Sequence, residues 1–285
     1  MNFLIKMVIP KGRLFKNVVN LLNDAGLRIE NNERQYVPRV QDPEVEAKIM
    51  KPQNIAQLVE VGSHDVGFTG YDWITETSAD VDTVMDLQLD PVEIVAAVPD
   101  DLHRKDLFNR RIVVASEYEN ITLNYLNKQK YEYYFIRTFG ATEVFPPDDA
   151  DMIIDNISTG RTLEENHLKI MDKILASSTR FIVNKKALKD PWKRKKVDQW
   201  VTLFQGVLDA RERVMLEMNV PTDKLNAIVR ECPCMRAPTV SPLYNGDGFA
   251  IKIAIKRWES VKLIPKLKAM GASDILEYEF RKVVI

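Results

Sequence analysis

The sequence predicts an α/β protein in which strands alternate with helices, followed by a ferredoxin-like βαββαβ module in the tail. Three observations predict this. Short apolar, β-rich runs are each followed by apolar residues at helical spacing, glycines mark the joints, and the rhythm changes near residue 210. Phe3 to Ile9 reads as a buried strand, and Leu14, Val18, Leu21 and Leu22 as a helix stopped at Gly26. Asp65 to Gly70 is a short strand entering a glycine turn; Val92 to Val98 and Arg111 to Ala115 are further strands. Ile121 to Leu126 begins a helix, Tyr131 to Phe139 is aromatic and β-rich, and Met152-Ile153-Ile154 is a buried strand before a helix near Thr162. Ile182-Val183 lies in a strand, and a long helix runs from about Trp192 to Leu208. This alternation predicts βαβ units and a largely parallel sheet.

Beyond residue 210, Arg213 to Val220 reads as a strand, and Pro221-Thr222-Asp223 opens a helix with Thr222 as its cap. Phe249 to Ile255 alternates with period two, as a half-exposed strand does. Trp258, Val261, Ile264, Leu267 and Met270 predict a helix that Pro265 kinks and Gly271 stops, and Ile275 to Ile285 a closing strand. Strand and helix order match a ferredoxin-like unit.

The 285 residues carry 40 Lys and Arg against 41 Asp and Glu, a formal charge of −1, with 45% hydrophobic and 28% charged residues. That balance excludes a nucleic-acid coat or a membrane-surface binder, and no apolar run approaches the ~18 residues of a membrane span. The apolar stretch at Phe3 to Ile5 is interrupted by Lys6 and stopped by Pro10, so no signal peptide is expected. With two cysteines, Cys232 and Cys234, a disulfide scaffold is excluded and a cytoplasmic location expected. The pair lacks further metal ligands nearby and carries no assigned function.

Three loops suit phosphate. In Asp151 to Thr162 a buried strand ends in Ser158-Thr159-Gly160 directly before a helix, where backbone N–H groups and hydroxyls favour an anion. Asp151 and Asp155 share one strand face by alternation, so both carboxylates are expected to meet a sugar diol or a metal. A plain capped helix start explains the same residues equally well. In the second loop, Lys11 and Arg13 flank Gly12 where the first strand meets the first helix. It lacks the P-loop pattern. The third is Gly67-Phe68-Thr69-Gly70-Tyr71-Asp72-Trp73, a turn able to grip a ligand, although Tyr71 and Trp73 suit a core as well.

Taken together, Ile9 to Leu14, Asp65 to Asp72, Ser116-Glu117-Tyr118, Gly140 to Glu143, Asp155 to Leu163, Pro238 to Leu243 and Leu263 to Lys268 resemble the long-form ATP phosphoribosyltransferases, the family of the first enzyme of histidine biosynthesis. The resemblance implies a two-lobed core like a type II periplasmic binding protein, with lobe one at 1–90 and 180–210, lobe two at 91–179, and a regulatory domain at 211–285. It implies condensation of ATP with 5-phosphoribosyl 1-pyrophosphate, using Mg2+, to give N1-(5-phosphoribosyl)-ATP and pyrophosphate. Glu143, Asp151, Asp155, Ser158, Thr159, Gly160, Arg161 and Thr162 would take the sugar pyrophosphate. Lys11, Gly12, Arg13, Lys51, Thr69, Gly70 and Asp72 would take ATP or pyrophosphate. Thr239, Ser241, Ala254 and Asp274 would bind L-histidine as inhibitor. Magnesium would be held through substrate phosphates, with Asp155 a possible ligand, and dimers would assemble into hexamers. Neither nucleic acid nor membrane is an expected partner. Arg161 departs from a position usually small or polar in the family. Two alternatives stay open on the residues: a small-molecule binding protein of the same fold, or another phosphoribosyltransferase acting on a free nucleobase.

Overall fold

The computed structural model describes residues 3–30, 36–108, 110–244 and 246–285. Contacts divide the chain into two compact units, 1–23 with 27–196, and 24–26 with 197–285.

The first unit runs β1 (Ile5–Pro10), α1 (Phe15–Ala25), the short pair β2 (Ile29–Glu30) and β3 (Arg39–Val40), β4 (Val45–Met50), α2 (Pro52–Glu60), β5 (Val66–Gly70), α3 (Tyr71–Thr77) and β6 (Asp82–Asp86). It continues with β7 (Val92–Pro99), β8 (Arg111–Ser116), α4 (Glu119–Gln129), β9 (Glu132–Arg137), β10 (Met152–Ile157), α5 (Arg161–Glu165), β11 (Leu168–Ser177), β12 (Thr179–Val183) and the start of α6 (Pro191–Arg211). Two five-stranded sheets result, in orders β4-β1-β5-β12-β6 and β11-β7-β10-β8-β9. The chain builds the first as far as β6, crosses to build the whole second sheet, and returns at β12 after one residue, Ser178. Each lobe therefore owns one sheet.

Each sheet is mixed rather than largely parallel. β1 pairs parallel with β4 and β5, and β8 parallel with β9 and β10, while β12 and β7 pair antiparallel with their neighbours. The reason is connection chemistry: helices such as α2 return the chain for a parallel partner, whereas β7 and β12 arrive from the opposite lobe without one. β5 is buried along its whole length. A Cβ on Gly67 would lie 2.8 Å from both Ile55 Cγ2 and Val8 Cγ1, so α2 packs onto this strand only because residue 67 has none.

The second unit holds the end of α6, then β13 (Arg213–Val220), α7 (Leu225–Glu231), β14 (Thr239–Pro242), β15 (Phe249–Lys256), α8 (Arg257–Ala269) and β16 (Ser273–Glu279). Its sheet, β14-β15-β13-β16, is antiparallel throughout. This is the ferredoxin-like order. Val214, Leu216 and Met218 sit opposite Ile255, Ile253 and Ile251, and all six point to one face, which Leu263 and Leu267 of α8 help to cover. Three expectations fail here. Trp258 and Val261 are exposed, and α8 buries Ser260, Leu263 and Leu267 instead. A strict three-residue repeat drifts around a helix of 3.6 residues per turn, so the expected stripe could not stay on one face. Thr222 caps nothing: it lies in a single 3-10 turn, Thr222–Lys224, ahead of α7. The closing strand β16 stops at Glu279, short of the expected Ile285.

Candidate active site

The parallel strands decide where the site lies. β4, β1 and β5 lie side by side and end in Lys51, in Lys11-Gly12-Arg13, and in Gly70-Tyr71-Asp72. In the other lobe β10, β8 and β9 end near Asp155, at Glu117-Tyr118, and at Thr138-Phe139. Carboxyl ends of parallel strands are where α/β sheets bind ligands. Two adjoining cavities lie between these ends. One of about 530 Å3 is lined by Lys51, Gln53, Trp73, Glu76, Glu117 and Arg137 among others. One of about 140 Å3 is lined by Arg13, Gln53, Gly70, Asp72, Glu117, Tyr118 and Asn156 among others. Gln53, Trp73 and Glu117 border both. Among the described residues, the buried Gln53 Oε1 has no hydrogen-bond partner.

α3 ties the lobes together. Its Trp73 packs against the core of the second lobe and stacks on Tyr118 at 4.5 Å. The Glu76 carboxylate accepts the backbone N–H groups of Asn120 and Ile121, both at 3.0 Å. It thus caps α4, since the side chain of the N-cap residue, Tyr118, makes no capping bond to that helix.

Lys11, Arg13 and Lys51 make no ion pair among the described residues, and all three are exposed. Lys11 Nζ donates to the Tyr36 hydroxyl at 3.1 Å and lies 4.7 Å from that ring's centre. Gly12 opens a 3-10 turn that buries Leu14 and leaves Arg13 outward. Three such cations at two adjacent strand ends, those of β4 and β1, form an anion-attracting rim.

Opposite them, β10 runs into Ser158, Thr159 and Gly160, and Gly160, at φ +79°, turns the chain into α5. Ser158 and Thr159 are exposed, and the Gly160 carbonyl accepts from the N–H groups of Leu163 and Glu164. Asp155 begins this segment half-buried. Burial, reinforced by the charges of Glu117 and Glu143, pushes its carboxyl up to about 6 against the lowering effect of the Asn156 N–H. Glu143, in the turn Thr142–Val144, is therefore within electrostatic reach of Asp155.

Other expected site residues are engaged by neighbouring groups or turned away from the loop. Asp151 precedes β10, at the end remote from the loop, where Arg110 (2.8 Å) and the Val113 N–H (2.8 Å) occupy its carboxylate. Asp151 stands just ahead of the strand on which period-two alternation predicts it, four residues before Asp155. Thr69 is fully buried and donates to the Pro52 carbonyl at 2.9 Å. Asp72 is 4% exposed and accepts from Tyr118 and Ser177. Arg161 extends along α5 to Glu165 at 2.8 Å, away from the loop, and Thr162 is exposed in the first turn of that helix.

In the ferredoxin-like unit Thr239 and Ser241 pair with Lys252 and Ala250 on the exposed edge strand β14, beside Ala254 in β15. Asp274 lies on the other edge strand, accepting from Asn219 (3.0 Å) and Ser273 (2.9 Å). Three strand spacings, about 14 Å, separate the two edges. One copy does not bring the four residues together. Burial pushes the Cys232 thiol up to about 11, so it stays protonated and inert.

Sequence reasoning did not single out Gln53, Trp73, Glu76, Arg137 or Asn156 as site residues. Their common signal is position: Gln53, Trp73, Arg137 and Asn156 lie within three residues of a strand end that faces the cleft, and Glu76 lies in the helix that follows β5.

A family model of ATP phosphoribosyltransferase matches residues 51–206, and one of the HisG C-terminal domain matches residues 210–282. An ATP phosphoribosyltransferase from Chlorobium phaeovibrioides is 40% identical over 99% of this chain and 98% of its own. One from Thermodesulfovibrio yellowstonii is 40% identical over 98% of each. A solved structure, the ATP phosphoribosyl transferase (HisG:HisZ) complex from Thermotoga maritima, is 26% identical with a TM-score of 0.65, covering 72% of this chain and 99% of that one. With both its core and its C-terminal unit matched, the chain belongs to the ATP phosphoribosyltransferase family.

Proposed function

We propose that this protein condenses ATP with 5-phosphoribosyl 1-pyrophosphate to N1-(5-phosphoribosyl)-ATP and pyrophosphate, the first step of histidine biosynthesis. One observation carries the reading beyond family membership. Lys51 and Arg13, which make no ion pair among the described residues, line cavities bordered from the other lobe by Glu117, Tyr118 and Asn156, and Asn156 is bonded to the half-buried Asp155 that leads into the hydroxyl-rich loop. Cations suit polyphosphate, and the loop suits a phosphomonoester.

Adenine N1 already has a lone pair, so no strong base is needed to begin the attack. The N1–C1 bond forms as the bond from the anomeric carbon to pyrophosphate breaks, through an oxocarbenium-like state. Ser158, Thr159 and Gly160 hold the 5-phosphate, fixing the ribose for in-line attack. Asp155 meets the ribose hydroxyls, and its negative charge offsets the positive charge developing on the ring. Lys11, Arg13 and Lys51 neutralise the departing pyrophosphate and the ATP phosphates.

No group of three or more His, Cys, Asp or Glu among the described residues is arranged to hold a metal ion. Asp155 is thus suited to supply at most one carboxylate oxygen to magnesium, with substrate phosphates supplying the rest, which matches how magnesium usually binds. When bound, the ion supplies positive charge on the leaving pyrophosphate.

The assignment extends to organisation. Residues 1–90 with 180–210 and 91–179 act as the catalytic lobes, and 211–285 as a domain that binds L-histidine as feedback inhibitor in a homo-oligomer. The separation of Thr239 and Ser241 from Asp274 in one copy favours a histidine site shared between copies. No described helix is long and apolar enough to cross a membrane, in keeping with a cytoplasmic biosynthetic enzyme. Incubation with ATP, the sugar pyrophosphate and magnesium tests the reading: an N1-substituted adenine chromophore appears with one pyrophosphate per turnover. No such product would refute it.

A further inference from the structure

A buried chain of hydrogen bonds, unused by the steps above, runs from α3 and β11 to Asp155. Ser177 Oγ donates to Asp72 Oδ1 at 2.6 Å, and Tyr118 Oη donates to Asp72 Oδ2 at 2.8 Å. Asn156 Nδ2 donates to Tyr118 Oη at 3.2 Å. Asn156 also gives its backbone N–H (2.7 Å) and its Nδ2 (3.2 Å) to Asp155 Oδ1.

Donor inventory settles the direction of every link. A carboxylate only accepts, so the single Tyr118 proton points at Asp72 and leaves the phenol lone pairs for Asn156. Burial and the Asp72 carboxylate push the Tyr118 hydroxyl up, so that proton is retained. The Asn156 amide must then present Nδ2 rather than its oxygen. Both bonds from Asn156 fall on Oδ1, and among the described residues Asp155 Oδ2 receives none. The Tyr118 ring is 1% exposed and stacked on Trp73, so its hydroxyl has little freedom to move.

We propose, on the strength of the reaction assigned above, that Tyr118 is a positioning residue for sugar binding. Anchored by Asp72, it orients Asn156, which holds Asp155 by Oδ1 and leaves Oδ2 for the ribose hydroxyls of 5-phosphoribosyl 1-pyrophosphate. A simple tie between lobes would be complete at the Tyr118–Asp72 bond. The continuation through Asn156 to Asp155 is what links the tie to the chemistry.

The structure supplies its own control. Tyr118→Phe and Ser177→Ala each remove one donor to the buried Asp72 carboxylate, but only the first releases Asn156. Full-length wild type and both variants are assayed for KM of each substrate, for kcat and for Tm. Expected are similar falls in Tm for both variants, with KM for the sugar pyrophosphate rising about tenfold in Tyr118→Phe alone and KM for ATP moving less than about threefold. Asn156→Ala should reproduce that rise and, combined with Tyr118→Phe, add less than about twofold, since the two act through one link. Equal KM changes in Tyr118→Phe and Ser177→Ala, equal effects on both substrates, or a fully multiplicative double variant would overturn the proposal. A wild type without turnover refutes the reaction itself, and with it any role in sugar binding, so the two failures are told apart in the first lane.

Discussion

Asp155 offers the sharpest quantitative handle on the site. Its carboxyl is raised to about 6 because burial disfavours the anion and the charges of Glu117 and Glu143 add to that. If the ionised form meets the ribose, kcat/KM for the sugar pyrophosphate falls through about pH 6, and near pH 5 roughly a tenth of the enzyme remains competent. Replacing Asp155 by Asn removes the charge at nearly constant shape, lowering kcat/KM by roughly a hundredfold or more and abolishing that acid limb. Stability moves the opposite way. Raising a carboxyl from its ordinary range to about 6 sets on the order of 3 kcal/mol against the anion in the fold. Between about pH 4 and 6 the folded chain keeps a proton that the unfolded chain has lost, so stability falls as pH rises through this window. Asp155→Asn should therefore be more stable than wild type at about pH 8, by up to that amount, and lose the advantage at about pH 4. Initial rates from about pH 4.5 to 8, beside urea unfolding at the two ends, measure both effects. An acid limb that persists unchanged in Asp155→Asn, or a variant less stable than wild type at pH 8, would refute the reasoning.

Other outcomes follow from the same geometry. Thr159→Val removes an exposed hydroxyl from the loop, and calorimetry should show sugar-pyrophosphate binding weaker by about 1–3 kcal/mol with ATP binding and Tm little changed. Glu76→Ala leaves the N–H groups of Asn120 and Ile121 without their acceptor and should cost about 2 kcal/mol in denaturant unfolding, unlike a surface Glu→Ala change. Histidine titrated into the full-length enzyme at fixed substrates should inhibit it, through a coupling of about 1–3 kcal/mol. Absence of both inhibition and binding heat at millimolar histidine would remove the sensor role.

What the sequence discloses and what it hides divides along physical lines. Strand β13 is legible residue by residue because Val214, Leu216 and Met218 alternate with half-buried neighbours against a helix-covered face. The loop from Asp155 to Gly160 is legible because hydroxyls and a glycine at a strand end carry their own chemistry. Lys11 and Arg13 are legible for the same reason. β4 and α2 are not among the elements the sequence discloses, although β4 alternates buried and exposed almost perfectly and Pro52 stands at the start of α2. Thr69 and Asp151 show what local pattern cannot carry. Which way a buried hydroxyl turns, or which cation closes on a carboxylate, depends on Pro52 and Arg110, 17 and 41 residues away. The bonds of Glu76 to Asn120 and of Tyr118 to Asp72 span 44 and 46 residues, and only folding brings them together.

The most direct test of the account is acceptor choice. Magnesium-dependent pyrophosphate release from 5-phosphoribosyl 1-pyrophosphate is measured with ATP and, separately, with free adenine and other nucleobases. The account predicts release only with ATP, because Lys11, Arg13 and Lys51 act on a polyphosphate, and predicts that replacing Arg13 with Ala slows it without lowering Tm. Release with a free nucleobase and none with ATP would contradict it.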